Sequence, residues 1–249
     1  MLLQGEFETC FTQGDNSKIL PTDTMKNTVY SLARKSSAES MEDFAKELID
    51  FLLGRNPQVS EGEVSIQETR WDRAAANGKP HPATFVQSSG ERQTTKVSRA
   101  QKGKFAISSG FDNLVIMKTA GSGFEGYIHD SLTTLQETAD RLFGTAATAR
   151  WTYTSPDGLD FNTLRRQIRD TLITVFAEHD SKSVQHTLYA MGEAALEKVR
   201  QIADIELTMP NKHCLLVDLS RFGQDNPNEI FVPTDEPHGY IEARIRRKA

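Results

Sequence analysis

Apolar residues three to four positions apart recur in two separate parts of this chain, and each recurrence predicts a pair of amphipathic helices. In the first half, Thr22 or Asp23 is expected to cap one helix. A second helix is expected to follow Ser40, with Gly54 and Pro57 as stop signals. The first half therefore supplies one helix pair.

The second half repeats this arrangement. Its apolar spacing predicts one helix over 164–176 and another over 184–202, capped by Ser183. The polar, basic stretch 92–104 is interpreted as a strand end followed by an exposed turn. Strands are predicted at 1–12, 64–68, 84–88, 105–119, 146–154, 205–218 (interrupted at Pro210) and 239–246.

Each half thus follows a β-β-α-α-β-β order, with the first half short by about one strand. Strand pairs that flank a helix pair predict an α+β protein with antiparallel sheets and helices packed on one face. We expect two domains, 1–104 and 105–249, of which the first is incomplete at its N-terminus.

The composition narrows the class of protein. The formal net charge of −5 gives no reason to expect nucleic acid or a membrane surface as partner. Cys10 and Cys214 lack CxxC spacing and are interpreted as reduced thiols. The first residues do not resemble a signal peptide, and the C-terminal RIRRKA is not an SKL-type peroxisomal signal. A cytoplasmic location is therefore expected.

The stretch 114–141, LVIMKTAGSGFEGYIHDSLTTLQETADR, carries the most specific pattern. An apolar run ends at Lys118, turns through three glycines to Phe124, and reaches Arg141 along a segment interpreted as helix-like. A flat heteroaromatic anion needs an aromatic face, a forked cation and amide groups along its edges. Phe124, Arg141 and Gln185 supply these groups, although each alone is more often a packing or surface residue. The free N–H groups of Val184 and Gln185 at a helix start favour negative charge.

Four blocks resemble the urate oxidase (uricase) family. They are 114–141, LPTDTMKNTVY (20–30), SVQHTLYAM (183–191) and MPNKHCLLVDLS (209–220). The resemblance implies two tandem tunnelling-fold (T-fold) domains and a homotetramer with sites between subunits, where Thr22 faces Phe124 and Arg141 of a neighbour. It also implies oxidation of urate by O2 to 5-hydroxyisourate and H2O2, with no cofactor and no metal.

The same resemblance implies a role for each matching residue. Phe124 stacks on urate, Arg141 binds one edge, and Gln185 and the Val184 N–H bind the far side. The Asp23 N–H meets the edge opposite the arginine. Asn211 lies over the ring, whereas Thr22 and His213 belong to a proton relay.

The family completes that relay with a lysine on its first strand, before the point where this sequence begins. Lys18 and Lys26 lie near Thr22 in sequence, but neither occupies the motif position. The natural start could lie upstream, or the product could be a shortened relative with weak or no activity. A non-catalytic subunit that binds purine or serves assembly is therefore the main alternative.

Gly121, Gly123 and Gly126 also form a literal GxGxxG after a predicted strand, which makes an NAD(P)-dependent oxidoreductase a second alternative. The motif lies in the middle of the chain, and Phe124 and Glu125 crowd its turn. No acidic residue ends the next strand at the expected distance. These features count against the dinucleotide alternative.

Overall fold

The computed structural model describes residues 1–236 and 238–247, and a long antiparallel sheet dominates it. The last two residues of the RIRRKA terminus lie outside the described part. The helices are α1 (Glu8–Gln13), α2 (Thr22–Lys35), α3 (Met41–Arg55), α4 (Phe161–Glu178) and α5 (Val184–Lys198). The strands are β1 (Leu2–Gly5), β2 (Val59–Ala76), β3 (Lys79–Ala100), β4 (Ala106–Lys118), β5 (Phe143–Tyr153), β6 (Ile202–Thr208), β7 (Cys214–Leu216), β8 (Phe231–Pro233) and β9 (Glu242–Arg246).

Seven strands form one sheet in the order β1-β2-β3-β4-β5-β6-β9, and every neighbouring pair is antiparallel. β3 pairs with β4, so the two halves of the chain share a continuous sheet. β7 and β8 form a separate two-stranded pair. The predicted α+β class with an antiparallel sheet and packed helices is confirmed.

Burial alternates along the central strand β5, because successive side chains of a strand point to opposite faces. Phe143, Ala147, Ala149 and Trp151 belong to the core of the second half, together with buried residues of α4 and α5. A separate core joins helix α3 to strands β2, β3 and β4. The buried residues of β5 are Phe143, Gly144, Thr145, Ala147, Ala149 and Trp151.

A buried ion pair connects the two halves. The Arg165 guanidinium on α4 donates to the Glu42 carboxylate on α3, and the Ser109 hydroxyl on β4 donates to the same oxygen. Glu42 and Arg165 are 0 % and 2 % exposed, so removing either partner alone would leave an uncompensated buried charge. The pair therefore fixes α3 against α4.

Two predictions for the N-terminal part of the chain are wrong. Only Leu2–Gly5 of the segment 1–12 is a strand, because Glu8–Gln13 forms a short helix that Gly14 closes at a positive φ of 68°. Pro21, not Thr22 or Asp23, is the N-cap of α2, and its carbonyl accepts from the Met25 N–H.

Two predicted strands also differ from the structure. Most of 92–104 is strand, because β3 continues to Ala100 in register with both β2 and β4. The predicted strand 205–218 divides, because Pro210 lacks the N–H that a ladder needs and the chain leaves the sheet after Thr208. Within the described residues, no helix has the length and apolar character needed to cross a membrane.

Candidate active site

The loop between β4 and β5 brings the candidate binding residues together. Three backbone hydrogen bonds fix it: Gly123 N–H to Ser181 O at 2.8 Å, Ser181 N–H to Gly121 O at 3.0 Å, and Arg141 N–H to Ser122 O at 2.7 Å. Ser181 comes just before α5, so the loop lies against the N-terminus of that helix. The segment that leads to Arg141 consists of bends and turns, and the prediction of a helix-like segment is wrong.

Phe124 and Arg141 are neighbours in space. The Phe124 N–H donates to Thr138 O at 2.8 Å, which pairs the two sides of the loop. The Arg141 Cζ lies 5.4 Å from the centre of the Phe124 ring. The predicted aromatic face and forked cation therefore converge within one chain.

Among the described residues, no carboxylate forms an ion pair with the Arg141 guanidinium within 4.0 Å. The adjacent Asp140 carboxylate instead accepts the Ser122 N–H at 3.0 Å. Partial burial lowers the pKa of Arg141, because desolvation disfavours the charged form. A partly desolvated guanidinium beside an aromatic face fits a planar anion.

Helix α5 presents its N-terminus to this loop. The Ser183 hydroxyl accepts the His186 N–H at 3.1 Å, which confirms the predicted cap. The Val184 side chain is buried in the core, whereas the Gln185 side chain is exposed. The N–H groups of both residues belong to the first turn, where an α-helix offers no acceptor of its own. They can therefore bond an anion.

Asn211 and His213 lie on an extended segment next to the start of β5. The Asn211 N–H donates to Gly239 O at 2.8 Å, and the Lys212 N–H donates in the opposite direction to Gly144 O at 2.9 Å. This alternation places the Asn211 and His213 side chains on the same side of the segment. Gly144 follows Arg141 closely, so the segment adjoins the site.

Thr22 and Asp23 lie apart from this group. Both are exposed at the N-terminus of α2, and their contacts within the described residues are local. The Asp23 carboxylate pairs with Lys26 at 2.9 Å. The Lys18 amine pairs with Glu6 at 2.5 Å. Within a single chain, the structure therefore does not bring Thr22 and Asp23 to Phe124 and Arg141.

Two further residues support the site but escaped the sequence prediction. The Lys118 amine donates to His179 O at 2.6 Å, which ties the end of β4 to the segment before α5. The Tyr127 ring stacks on Phe124. Both contacts depend on the loop conformation, and only the clustering of aromatic residues in FEGYIH could have suggested the second.

Two cavities are large enough to be compared as possible ligand sites. One of about 530 Å³ adjoins Arg141 and is lined also by Thr119, Asp140, Cys214 and Phe231. A cavity of about 640 Å³ lies between α3 and α4, away from the convergent loop and the N-terminus of α5. We therefore place the candidate site by its side chains and not by cavity size.

The alternative of a dinucleotide site is wrong. A GxGxxG fingerprint functions at a turn that joins a strand to a helix within a βαβ unit. Here the segment after Gly126 is irregular, and β4 and β5 are antiparallel neighbours. The glycines instead allow close approach, because a Cβ on Gly123 would lie 2.8 Å from Ala139 O.

Comparison with known proteins points to one family. The family model "Uricase" matches residues 7–98 and 107–242. Uricase from Arthrobacter globiformis is 40 % identical over 246 residues, which cover 99 % of this chain and 79 % of that protein. Uricase from Dictyostelium discoideum is 39 % identical, with 99 % and 86 % covered. The crystal structure of the A. globiformis uricase superimposes with a TM-score of 0.92 and 39 % identity over 99 % of this chain and 83 % of that one. On these matches and on the site geometry, the chain belongs to the uricase family.

Proposed function

We propose that this chain oxidises urate with dioxygen to 5-hydroxyisourate and hydrogen peroxide, without a resident cofactor or metal. One observation carries the proposal: the Cζ of Arg141, a partly buried cation with no carboxylate partner among the described residues, lies 5.4 Å from the centre of the Phe124 ring beside the N-terminus of α5. That arrangement suits a flat anion with hydrogen-bonding edges.

The geometry of the loop and membership of the family support the following binding roles. Urate stacks on Phe124, and the Arg141 guanidinium forms two parallel hydrogen bonds to one edge. The Gln185 amide and the Val184 N–H bind the far edge, where the positive end of α5 stabilises negative charge. The Asp23 N–H meets the edge opposite Arg141.

In the proposed reaction, urate itself supplies the electrons that reduce dioxygen. Ionised urate is electron-rich and reduces dioxygen in one-electron steps, which gives a hydroperoxide at C5. Loss of peroxide and addition of water then give 5-hydroxyisourate, so urate, O2 and H2O are converted to product and H2O2. Asn211 lies over the ring, and Thr22 and His213 move protons. The protein contributes position, a dry pocket and proton transfer.

We propose two tandem T-fold domains, 1–104 and 105–249, and a homotetramer. The presence of two core clusters supports the division, although the cluster on α3 also includes Ile107 and Phe161 of the second half. Thr22 and Asp23 are exposed and make only local contacts within the described residues, which supports a site that two chains complete. Thr22 and Asp23 of one subunit would then meet Phe124 and Arg141 of its neighbour.

The loss of urate absorbance, measured together with oxygen consumption and peroxide release, tests the activity. For each molecule of urate lost, we expect one molecule of O2 to be consumed and one of H2O2 to be released. Urate-dependent thermal stabilisation without turnover would instead support the non-catalytic binder.

Thr22→Ala should slow turnover about 10²–10⁴-fold and weaken anaerobic urate binding far less, because a relay group acts on the chemical step. Equal losses in both would exclude Thr22 from the relay.

A further inference from the structure

The aromatic side chains of the loop between β4 and β5 form a continuous stack. The Tyr127 ring lies 4.8 Å from the Phe124 ring with an interplanar angle of 13°. The His129 ring lies 4.7 Å from the Tyr127 ring at 18°. Tyr127 therefore covers one face of Phe124 and leaves only the other face for a ligand.

Hydrogen bonds within the loop fix the outer members of this stack. The Tyr127 hydroxyl donates to Leu135 O at 2.7 Å. The His129 Nε2 lies 3.2 Å from the Glu137 carboxylate, which also accepts the Gly126 N–H at 2.9 Å. Hydrogen bonds between the two sides of the loop thus hold the stack in place.

We propose that Tyr127 is a positioning residue for urate binding: its ring holds Phe124 in the plane that the substrate needs. The inference rests on the proposed function, because it assumes that urate stacks on the free face of Phe124. Bound urate becomes the end of a stack that continues through Phe124, Tyr127 and His129. Without the ring of Tyr127, Phe124 can rotate about its side-chain bonds and must be ordered again on binding.

Urate titration under anaerobic conditions isolates binding, since oxidation needs dioxygen. We expect Tyr127→Leu to raise the urate dissociation constant about three- to tenfold, the range typical of one aromatic pair. Under aerobic assay KM should rise by a similar factor, with kcat within about twofold of the wild type. Tyr127→Phe keeps the ring and loses only the hydrogen bond to Leu135, so its affinity should stay within about twofold of the wild type.

Phe222→Leu is the matched control, because it removes an exposed aromatic ring from a surface turn outside the site. Unchanged affinity in Tyr127→Leu, or equal losses in Tyr127→Leu and Tyr127→Phe, would overturn the role of the ring while leaving urate binding by the wild type intact. Failure of the wild type to bind urate would instead overturn the proposed function, and this inference with it.

Discussion

Urate affinity should depend most directly on the Arg141 guanidinium, the partly buried cation that lacks a carboxylate partner among the described residues. Arg141→Met keeps a long side chain but removes the charge and both parallel hydrogen bonds. We expect the affinity for urate to fall about 10- to 100-fold, since hydrogen bonds to charged groups contribute about 1.5–3 kcal/mol. Anaerobic titration with urate measures the change.

Two variants control for charge and for general effects of arginine loss. Arg141→Lys keeps the cation without the fork, so its affinity should lie between those of the wild type and Arg141→Met. Arg221→Met removes a guanidinium that also lies over an aromatic ring, but in an exposed surface turn, and should bind urate normally. Wild-type affinity in Arg141→Met would contradict the placement of urate at this loop.

At the scale of elements, the loop between β4 and β5 has no room for a side chain at Gly123. A Cβ there would lie 2.8 Å from Ala139 O and 3.1 Å from Thr138 O, and these backbone atoms cannot rotate away. Gly123→Ala should therefore displace the loop from Ser181, at a cost of about 1–3 kcal/mol, and weaken urate binding by about tenfold. Thermal unfolding and anaerobic titration measure the two effects.

Gly54→Ala is the matched control, because a Cβ at that position of α3 would meet nothing within 4 Å. It should raise the stability by up to about 1 kcal/mol, the helix preference of alanine over glycine, and leave urate binding unchanged. If Gly123→Ala bound urate as well as Gly54→Ala does, close approach at Gly123 would not be needed to position Phe124.

Elements with local signals could be predicted from the sequence. Ser40 and Ser183 each accept an N–H three residues ahead, and both helices follow as expected. The long hairpin of β2 and β3 was predicted only in part, although Asn77-Gly78 at positive φ is a strong turn signal. The loop after β4 could not be predicted, because its shape depends on bonds to Ser181, which is distant in sequence.

At the scale of the molecule, the repeated element order predicted the antiparallel sheet, but not its continuity across the two halves. That continuity comes from the pairing of β3 with β4, and the buried pair of Glu42 and Arg165 joins the helices of the two halves; neither has a local signal. The resemblance alone predicts that residues of two subunits form each site. The structure of one chain is compatible with it, because Thr22 is exposed and its contacts within the described residues are local.

A mixture of two impaired variants, assayed at urate concentrations far below the KM of Arg141→Met, tests whether two chains complete each site. Co-expressed Thr22→Ala and Arg141→Met subunits should form mixed oligomers in which about a quarter of the sites combine an intact Thr22 with an intact Arg141 from the neighbour. Urate turnover should then recover to about a quarter of the wild-type rate per site, measured on oligomers purified through a different tag on each variant. A site built within one chain would give no recovery, since every chain would carry one of the two substitutions.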